Sequence, residues 1–236
     1  MYLGVDEAGK GPALGPMAAA AVIADPTSLP ADVDDSKRIA PARREEMATA
    51  LRDDPAVAVG VARVEPTEID RPDTDMNTLT VRGQARAVRD ALADRPAETA
   101  EPVRVVADAG DTSEERFAER LVRFVEGDDA DESVGDGISL PAVDVTAAHG
   151  ADGDDPVVGA ASVVAKTVRD AAMADIDAAY PDYDDLGSGY PSDPATRSFL
   201  AAYVGDHETL PDCARTSWST CEDALAAAEQ SALDEF

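Results

Sequence analysis

The sequence predicts an α/β layer fold with a mostly helical tail, and three observations lead there. Short apolar runs of strand length cluster near the start of the chain. They then alternate with segments of helical period, the pattern of strands covered by helices. From about residue 181 the helical pattern continues alone. A chain of 236 residues, 44% hydrophobic, is long enough to bury a sizeable core.

The elements follow in order. "YLGVDEA" (2–8) and "MAAAAVIA" (17–24) read as short buried strands joined by a Gly/Pro loop. "APARREEMATALRD" starts a helix, with Pro41 near its first position. "AVAVGVARVEP" (56–66) alternates as a third strand, and a helix follows through "NTLTVRGQARAVRDALAD". "VRVVADAG" (103–110) is the fourth strand; "TSEERFAERLVRFV" is a helix whose start reads as a capping box of Thr112 with Glu115. "GDDADESVGDG" is a solvated acidic loop, and "AVDVTAA" (142–148) is the fifth strand. A long helix then sets Val157, Val158, Ala161, Val164, Ala165, Val168 and Ala172 on one face. "GSGYPSDP" is a turn-rich break, with helices near 194–205 and 217–233 beyond it. There is no internal repeat, and the expected division is an α/β domain over 1–180 and a helical region over 181–236.

Composition narrows the setting. No apolar run reaches the roughly 18 residues of a membrane span, and the start "MYLGVDEAG" lacks a basic, apolar leader, so a cytoplasmic monomer with no membrane partner is expected. Net charge is −29. Such acidity ordinarily argues against a nucleic-acid partner, but here it is spread through the whole chain while lysine is nearly absent and aromatics fall to 4%. This reads as adaptation to a salt-rich cytoplasm, where self-repulsion is screened; the few local cations then report on the partner. Cys213 and Cys221 have neither CxxC nor zinc-site spacing and read as free thiols.

Carboxylates stand at strand ends. Asp6 and Glu7 close the first strand, Asp108 closes the fourth before Gly110, and Asp152 follows the fifth in "HGADGDDP". Neighbours on a strand point to opposite faces, so Asp6 and Glu7 serve one site only if the chain bends there, and Gly9, Gly11 and Pro12 supply the expected bend. Strand ends in α/β sheets gather functional groups at one edge. Converging carboxylates need a counter-charge, and hard oxygen donors without clustered Cys or His favour Mg²⁺ or Mn²⁺. Two such ions about 3.5–4 Å apart suit phosphodiester hydrolysis. His149, three residues before Asp152, reads as structural or exposed.

The surviving lysines are Lys10, Lys37 and Lys166, with Arg38 and Arg169 beside two of them. Lys10 lies between Gly9 and Gly11, a loop able to present backbone N–H groups at close range. Ammonium groups next to the carboxylates outline a phosphodiester track. At the C-terminus, Gln230, Leu233 and Phe236 have the Gln-x-x-Leu-x-x-aromatic spacing of a sliding-clamp-binding peptide, so a clamp is an expected partner.

Taken together, these blocks resemble ribonuclease HII in its archaeal form: "GVDEAGKGPALGPMAAAAV", "DDSKRIAPARREE", "VVADAGDTSEERFAERL", "HGADGDDPVVGAASVVAKTVRDAAM" and "GSGYPSDPATRSFL", in family order over most of the chain. The resemblance implies a ribonuclease H-like mixed sheet flanked by helices, with a small helical C-terminal region. It implies that Asp6, Glu7, Asp108 and Asp152 are catalytic, metal-binding carboxylates. The implied substrates are RNA–DNA hybrids and duplex DNA containing ribonucleotides, cut to leave a 5′-phosphate and a 3′-hydroxyl. Gly9, Lys10, Gly11 and Tyr190 would sense the ribose 2′-hydroxyl. Two departures stand out. The family usually has Arg where this chain has Lys10, and a lysine often precedes the Ala-Asp pair that here reads "HGAD". Asp154 and Asp155 therefore rival Asp152, with helix capping as their other role. A resolvase-like nuclease on the same fold, and a non-enzymatic acidic protein recruited to a clamp, are the competing readings.

Overall fold

In the computed structural model the described residues are 1–30, 33, 39–93, 101–127 and 140–234, the side chains of 231–234 excepted. Five strands, β1 (Tyr2–Ala8), β2 (Met17–Ala24), β3 (Ala58–Val64), β4 (Val103–Asp108) and β5 (Val143–Ala148), form one sheet in the order β3-β2-β1-β4-β5. β1 pairs antiparallel with β2, in a register that sets Asp6 opposite Ala20 and Glu7 opposite Ala19. β1 pairs parallel with β4, and β4 parallel with β5. The sheet is therefore mixed, as the resemblance implies. The helices are α1 (Pro41–Asp53), α2 (Pro66–Ile69), α3 (Met76–Leu92), α4 (Glu114–Glu126), α5 (Ala151–Asp154), α6 (Pro156–Ala179), α7 (Pro194–His207) and α8 (Ser219–Asp234). Among the described residues no helix is long and apolar enough to cross a membrane.

The chain forms two compact units. The first comprises Met1–Ala8, Ala18–Arg63 and Met76–Val168; the second comprises Gly9–Met17, Val64–Asp75 and Arg169–Phe236. Two early segments thus join the C-terminal residues in one unit, an arrangement that no single cut of the chain expresses.

In the first unit, strand alternation sorts the sheet's residues onto two faces. Leu3, Val5, Ala19, Ala21, Ile23, Val105 and Ala107 bury against Val81, Ala85, Val88 and Leu92 of α3 and Phe117, Leu121 and Val125 of α4. Ala20, Val22 and Ala24 bury against Met47 and Leu51 of α1 and Val157, Ala161 and Val164 of α6. All eight residues of β2 are buried, as a strand covered on both faces requires. Each large apolar side chain in these layers contributes about 1.5–3 kcal/mol by leaving water. Gly4 sets how closely β1 and α6 approach: a Cβ there would overlap the backbone of Val157 and Val158.

The start of α4 corrects the predicted cap. The N-cap is Ser113, whose Oγ accepts from Arg116 N at 3.3 Å. Thr112 is drawn off by Asp111, whose Oδ1 accepts the Thr112 N–H at 2.6 Å. Asp111 is itself 7% exposed and held by Arg116 at 2.7 Å, so the turn before the helix is fixed one residue later than the sequence pattern suggests.

In the second unit, the segment after β1 is stitched to distant residues. Ala13 N and Leu14 N donate to Gly189 O at 2.7 and 3.2 Å, Gly15 N donates to Cys213 O at 2.8 Å, and Arg215 N donates to Ala13 O at 2.8 Å. Leu14, Met173, Leu186, Phe199, Leu200, Cys213 and Cys221 form its core. Both cysteines are buried free thiols, as expected. Asp70 just after α2 accepts four bonds from the N–H and hydroxyl groups of Thr216 and Ser217.

Candidate functional site

The first unit assembles carboxylates at neighbouring strand ends. Asp6 on β1 is 3% exposed. Its carboxylate accepts from the Ser162 hydroxyl and from its neighbour Glu7 N at 2.7 Å. Ser162 lies on α6, one helical turn before Lys166, whose Nζ donates to Ser162 Oγ at 2.5 Å. Lys166 Nζ also lies 4.0 Å from Asp152 Oδ2. Burial above all, with the repulsion of Asp108 added, pushes Asp6 up to about 7, while Ser162 and Lys166 pull the other way.

No bend occurs between Asp6 and Glu7, which corrects the sequence expectation. β1 stays in register with β2 through Ala8. Asp6 therefore meets α6 on one face, and Glu7 turns to the other face, where Gln84 of α3 donates to Glu7 Oε2 at 2.6 Å. The glycines that were to supply the bend come after the strand, and the pleat is stronger than their pull. The same Gln84 Nε2 donates to Asp108 O at 3.0 Å, so one amide joins the ends of β1 and β4. Asp108 Oδ1 accepts from Ala151 N at 3.0 Å, holding the turn that carries Asp152.

Asp152 is in α5 and is 5% exposed. Its rivals part from it. Asp155 caps α6, its Oδ1 accepting from Val157 N at 2.9 Å and Val158 N at 3.2 Å, and Asp154 is exposed. His149 is structural: Nε2 lies 2.6 Å from Asp111 O and Nδ1 lies 2.9 Å from Glu114 Oε1. With acceptors at both nitrogens, the Asp111 carbonyl foremost, its pKa is raised and the imidazolium is favoured.

Among the described residues no three His, Cys, Asp or Glu side chains stand close enough to enclose a metal as they lie. The donor chemistry nonetheless fits a hard cation. Asp6 is a buried carboxylate, destabilised by burial and by a second carboxylate, in a state relieved either by a proton or by a cation. Oxygen donors of this kind suit Mg²⁺ or Mn²⁺.

The second unit holds the glycine loop. Gly9 has φ +88°, and a Cβ there would strike the Arg169 side chain. Arg215 is fully buried and donates from Nε to Gly15 O at 2.9 Å, from Nη1 to Lys10 O at 3.0 Å and from Nη2 to Gly9 O at 2.6 Å. Trp218 Nε1 donates to Gly11 O at 3.2 Å, and its ring lies 5.1 Å from the Arg215 guanidinium carbon. Burial first, then the charge of Arg169, brings Arg215 down to about 9, still a cation at neutral pH. Tyr190 is 43% exposed, and its Cε1 would lie 3.6 Å from a Cβ on Gly11.

Lys37 and Arg38 lie outside the described residues, as does Phe236. Gln230 is exposed on α8, and Leu233 lies in the last turn of that helix. Gln84, Ser162 and Arg215 were not singled out from the sequence. Ser162 had a signal in its i, i+4 spacing from Lys166, and Gln84 had one as a lone amide on the apolar stripe of α3. Arg215 had none, because its partners are backbone carbonyls about 200 residues away, a separation that no periodicity reveals.

Known proteins bear on this geometry. The ribonuclease HII family model matches residues 3–221. A ribonuclease HII from Haloarcula marismortui is 51% identical over 236 residues, covering 100% of both chains. One from Halobacterium salinarum is 51% identical over 233 residues, covering 99% of this chain and 98% of that one. The crystal structure of ribonuclease H2 from Pyrococcus horikoshii is similar at a TM-score of 0.77 and 29% identity, covering 97% of this chain and 98% of that chain. The ribonuclease HII in a PCNA complex from Archaeoglobus fulgidus is similar at 0.74 and 29% identity, over 95% and 96%. A Mn²⁺ complex of ribonuclease HIII shares the fold at a TM-score of 0.73 and 21% identity, covering 97% of this chain and 70% of that chain. With strand-end carboxylates, a mixed five-stranded sheet and a family match over nearly its whole length, this chain belongs to the ribonuclease HII family.

Proposed function

We propose that this member of a family of metal-dependent endonucleases acts on RNA–DNA hybrids and also incises at single ribonucleotides embedded in duplex DNA, leaving a 5′-phosphate and a 3′-hydroxyl. The carrying observation is the state of Asp6: buried, repelled by Asp108, and supported by Ser162 and Lys166. Asp6, Asp108 and Asp152 would hold the cation; Glu7, which Gln84 holds on the other face of β1, would join them only by leaving Gln84 and swinging around the strand end. When bound, Mg²⁺ or Mn²⁺ would supply activation of water and Lewis-acid stabilisation of the phosphodiester oxygens.

The chain's own residues do the rest. Lys166 and Ser162 keep Asp6 oriented and biased towards its charged form. Gln84 ties Glu7 to the end of β4, and the Ala151 N–H orients Asp108. Lys166 also supplies positive charge beside Asp152. The amides of the Gly9–Lys10–Gly11 loop, with Tyr190, would read the ribose 2′-hydroxyl, the group that separates RNA from DNA. Peptide amides are present whatever side chain occupies position 10, which is how Lys10 can stand where the family usually has Arg.

The test is a duplex with one ribonucleotide, incubated in molar KCl with Mg²⁺ or Mn²⁺, with the all-DNA duplex as control. Cutting beside the ribonucleotide, lost in Asp6→Asn, is expected. Cutting of all-DNA substrates would favour the resolvase-like reading, and no cation-dependent cutting would favour a non-enzymatic one. A clamp partner through residues 230–236 is part of the proposal. It is supported by the peptide spacing and by the similarity to a relative solved with PCNA. Deleting 230–236 should abolish clamp binding and spare cleavage; unchanged affinity would refute it.

A further inference from the structure

A buried arginine normally meets a carboxylate. Arg215, fully buried, instead spends its guanidinium on three backbone carbonyls, those of Gly9, Lys10 and Gly15. Across a trans peptide the C=O of one residue and the N–H of the next point in opposite directions. Drawing the Gly9 and Lys10 carbonyls towards the guanidinium therefore turns the N–H groups of Lys10 and Gly11 away from it. Gly11, the more exposed of the two, has Tyr190 on its Cα side. Trp218 completes the arrangement by binding the Gly11 carbonyl, whose peptide leads into Pro12 and has no N–H of its own.

We propose that Arg215 is the positioning residue of the ribose-sensing loop: it fixes two consecutive peptide planes so that the Lys10 and Gly11 amides face a 2′-hydroxyl beside Tyr190. This rests on the reading of that loop given under the proposed function. Arg169 supports the same geometry from another side, donating to Leu14 O at 3.4 Å and Ser188 O at 3.2 Å and filling the space a Gly9 side chain would need. Lysine replaces the planar fork only in part, because a single ammonium nitrogen cannot reach all three carbonyls as the spread nitrogens of the guanidinium do. The arrangement also suits salt-rich surroundings. A surface cation is screened by dissolved salt, whereas a buried one is screened much less. Arg215 is still charged at neutral pH, so the loop stays oriented.

The experiment measures kcat and KM on a duplex with one ribonucleotide, and the inhibition constant of the matching all-DNA duplex, in molar KCl. The ratio of that inhibition constant to KM is the discrimination. Arg215→Met should raise KM about tenfold or more and bring the ratio towards one. Arg215→Lys should recover part of the loss, and Mn²⁺ binding measured with the metal alone should be unchanged. Trp218→Phe, which keeps the ring and removes the donor to Gly11, should lower discrimination several-fold, and it serves as the test if Arg215→Met does not fold. Wild-type protein that fails to discriminate would overturn the reading of the loop itself. Discriminating wild type with equally discriminating, folded Arg215→Lys and Trp218→Phe variants would overturn the role of Arg215 and leave the proposed function intact.

Discussion

At the scale of a residue, Asp6 trades stability for function. Its folded pKa, about 7, lies above its ordinary value of 3.8, so between these two pH values the folded protein holds a proton that the unfolded chain has released. Stability from this group is therefore greatest near pH 4, falls as pH rises towards 7, and stays low above it. The difference amounts to a few kcal/mol. Asp6→Asn removes the ionisation and keeps the shape. In EDTA the variant should melt above wild type at pH 8.5, and the gap should close towards pH 5. Mg²⁺ added at pH 8.5 should raise the melting temperature of wild type and not of Asp6→Asn. A gap independent of pH would show that burial of the Asp6 charge is not what strains the fold. The neighbouring Ser162 acts through Asp6, so Ser162→Ala should weaken Mn²⁺ binding several-fold at pH 7, measured by titration calorimetry. Unchanged affinity would remove Ser162 from the site.

At the scale of the element, Gly4 decides whether α6 can serve the site at all. The helix brings Ser162 and Lys166 to Asp6 because its first turn lies directly on the β1 backbone. Gly4→Ala forces the two apart; overpacking of this kind costs about 1–3 kcal/mol. The variant should melt lower and lose Mn²⁺ affinity together, whereas Ser162→Ala should lose affinity with little change in melting; circular dichroism and calorimetry on both variants separate the cases. Elements of this sort were largely legible in the sequence. All five strands and the longer helices follow from apolar period and from Gly and Pro punctuation, since those signals are local. The Ser113 cap was missed because Asp111 competes for Thr112, a side-chain choice between neighbouring positions. The placement of the carboxylates was legible because each stands at, or just beyond, the end of an apolar strand. The split of Asp6 and Glu7 between two faces followed from the pleat, but the glycines beyond misled, since their freedom acts only after the strand has ended. Gln84 showed locally only as an amide on an apolar stripe, without its partners, and Arg215 not at all, because the contacts of both are far apart in the chain.

At the scale of the whole molecule, charge is the dominant fact: 49 acidic residues against 20 Lys and Arg. Among the described residues, the only buried acids are Asp6, Asp111 and Asp152, so the other described acids are exposed or half-buried. Repulsion between surface charges opposes the compact state. Its range is set by the Debye length, about 30 Å at 0.01 M salt, 10 Å at 0.1 M and 3 Å at 1 M. Screening should therefore be nearly complete by about 1 M KCl, and any gain beyond that comes from stronger apolar burial, which grows more gradually with salt. The expected melting temperature rises steeply with KCl up to about 1 M and shallowly afterwards, and circular dichroism should show unfolding on dialysis into dilute buffer and recovery on return to salt. Replacing exposed acids, for example Glu45→Gln, Asp53→Asn and Glu222→Gln together, should shift the folding midpoint to lower KCl without changing the shallow limb. If repulsion were not the cause, the triple variant would keep the wild-type midpoint, and a melting temperature indifferent to KCl would exclude salt adaptation altogether.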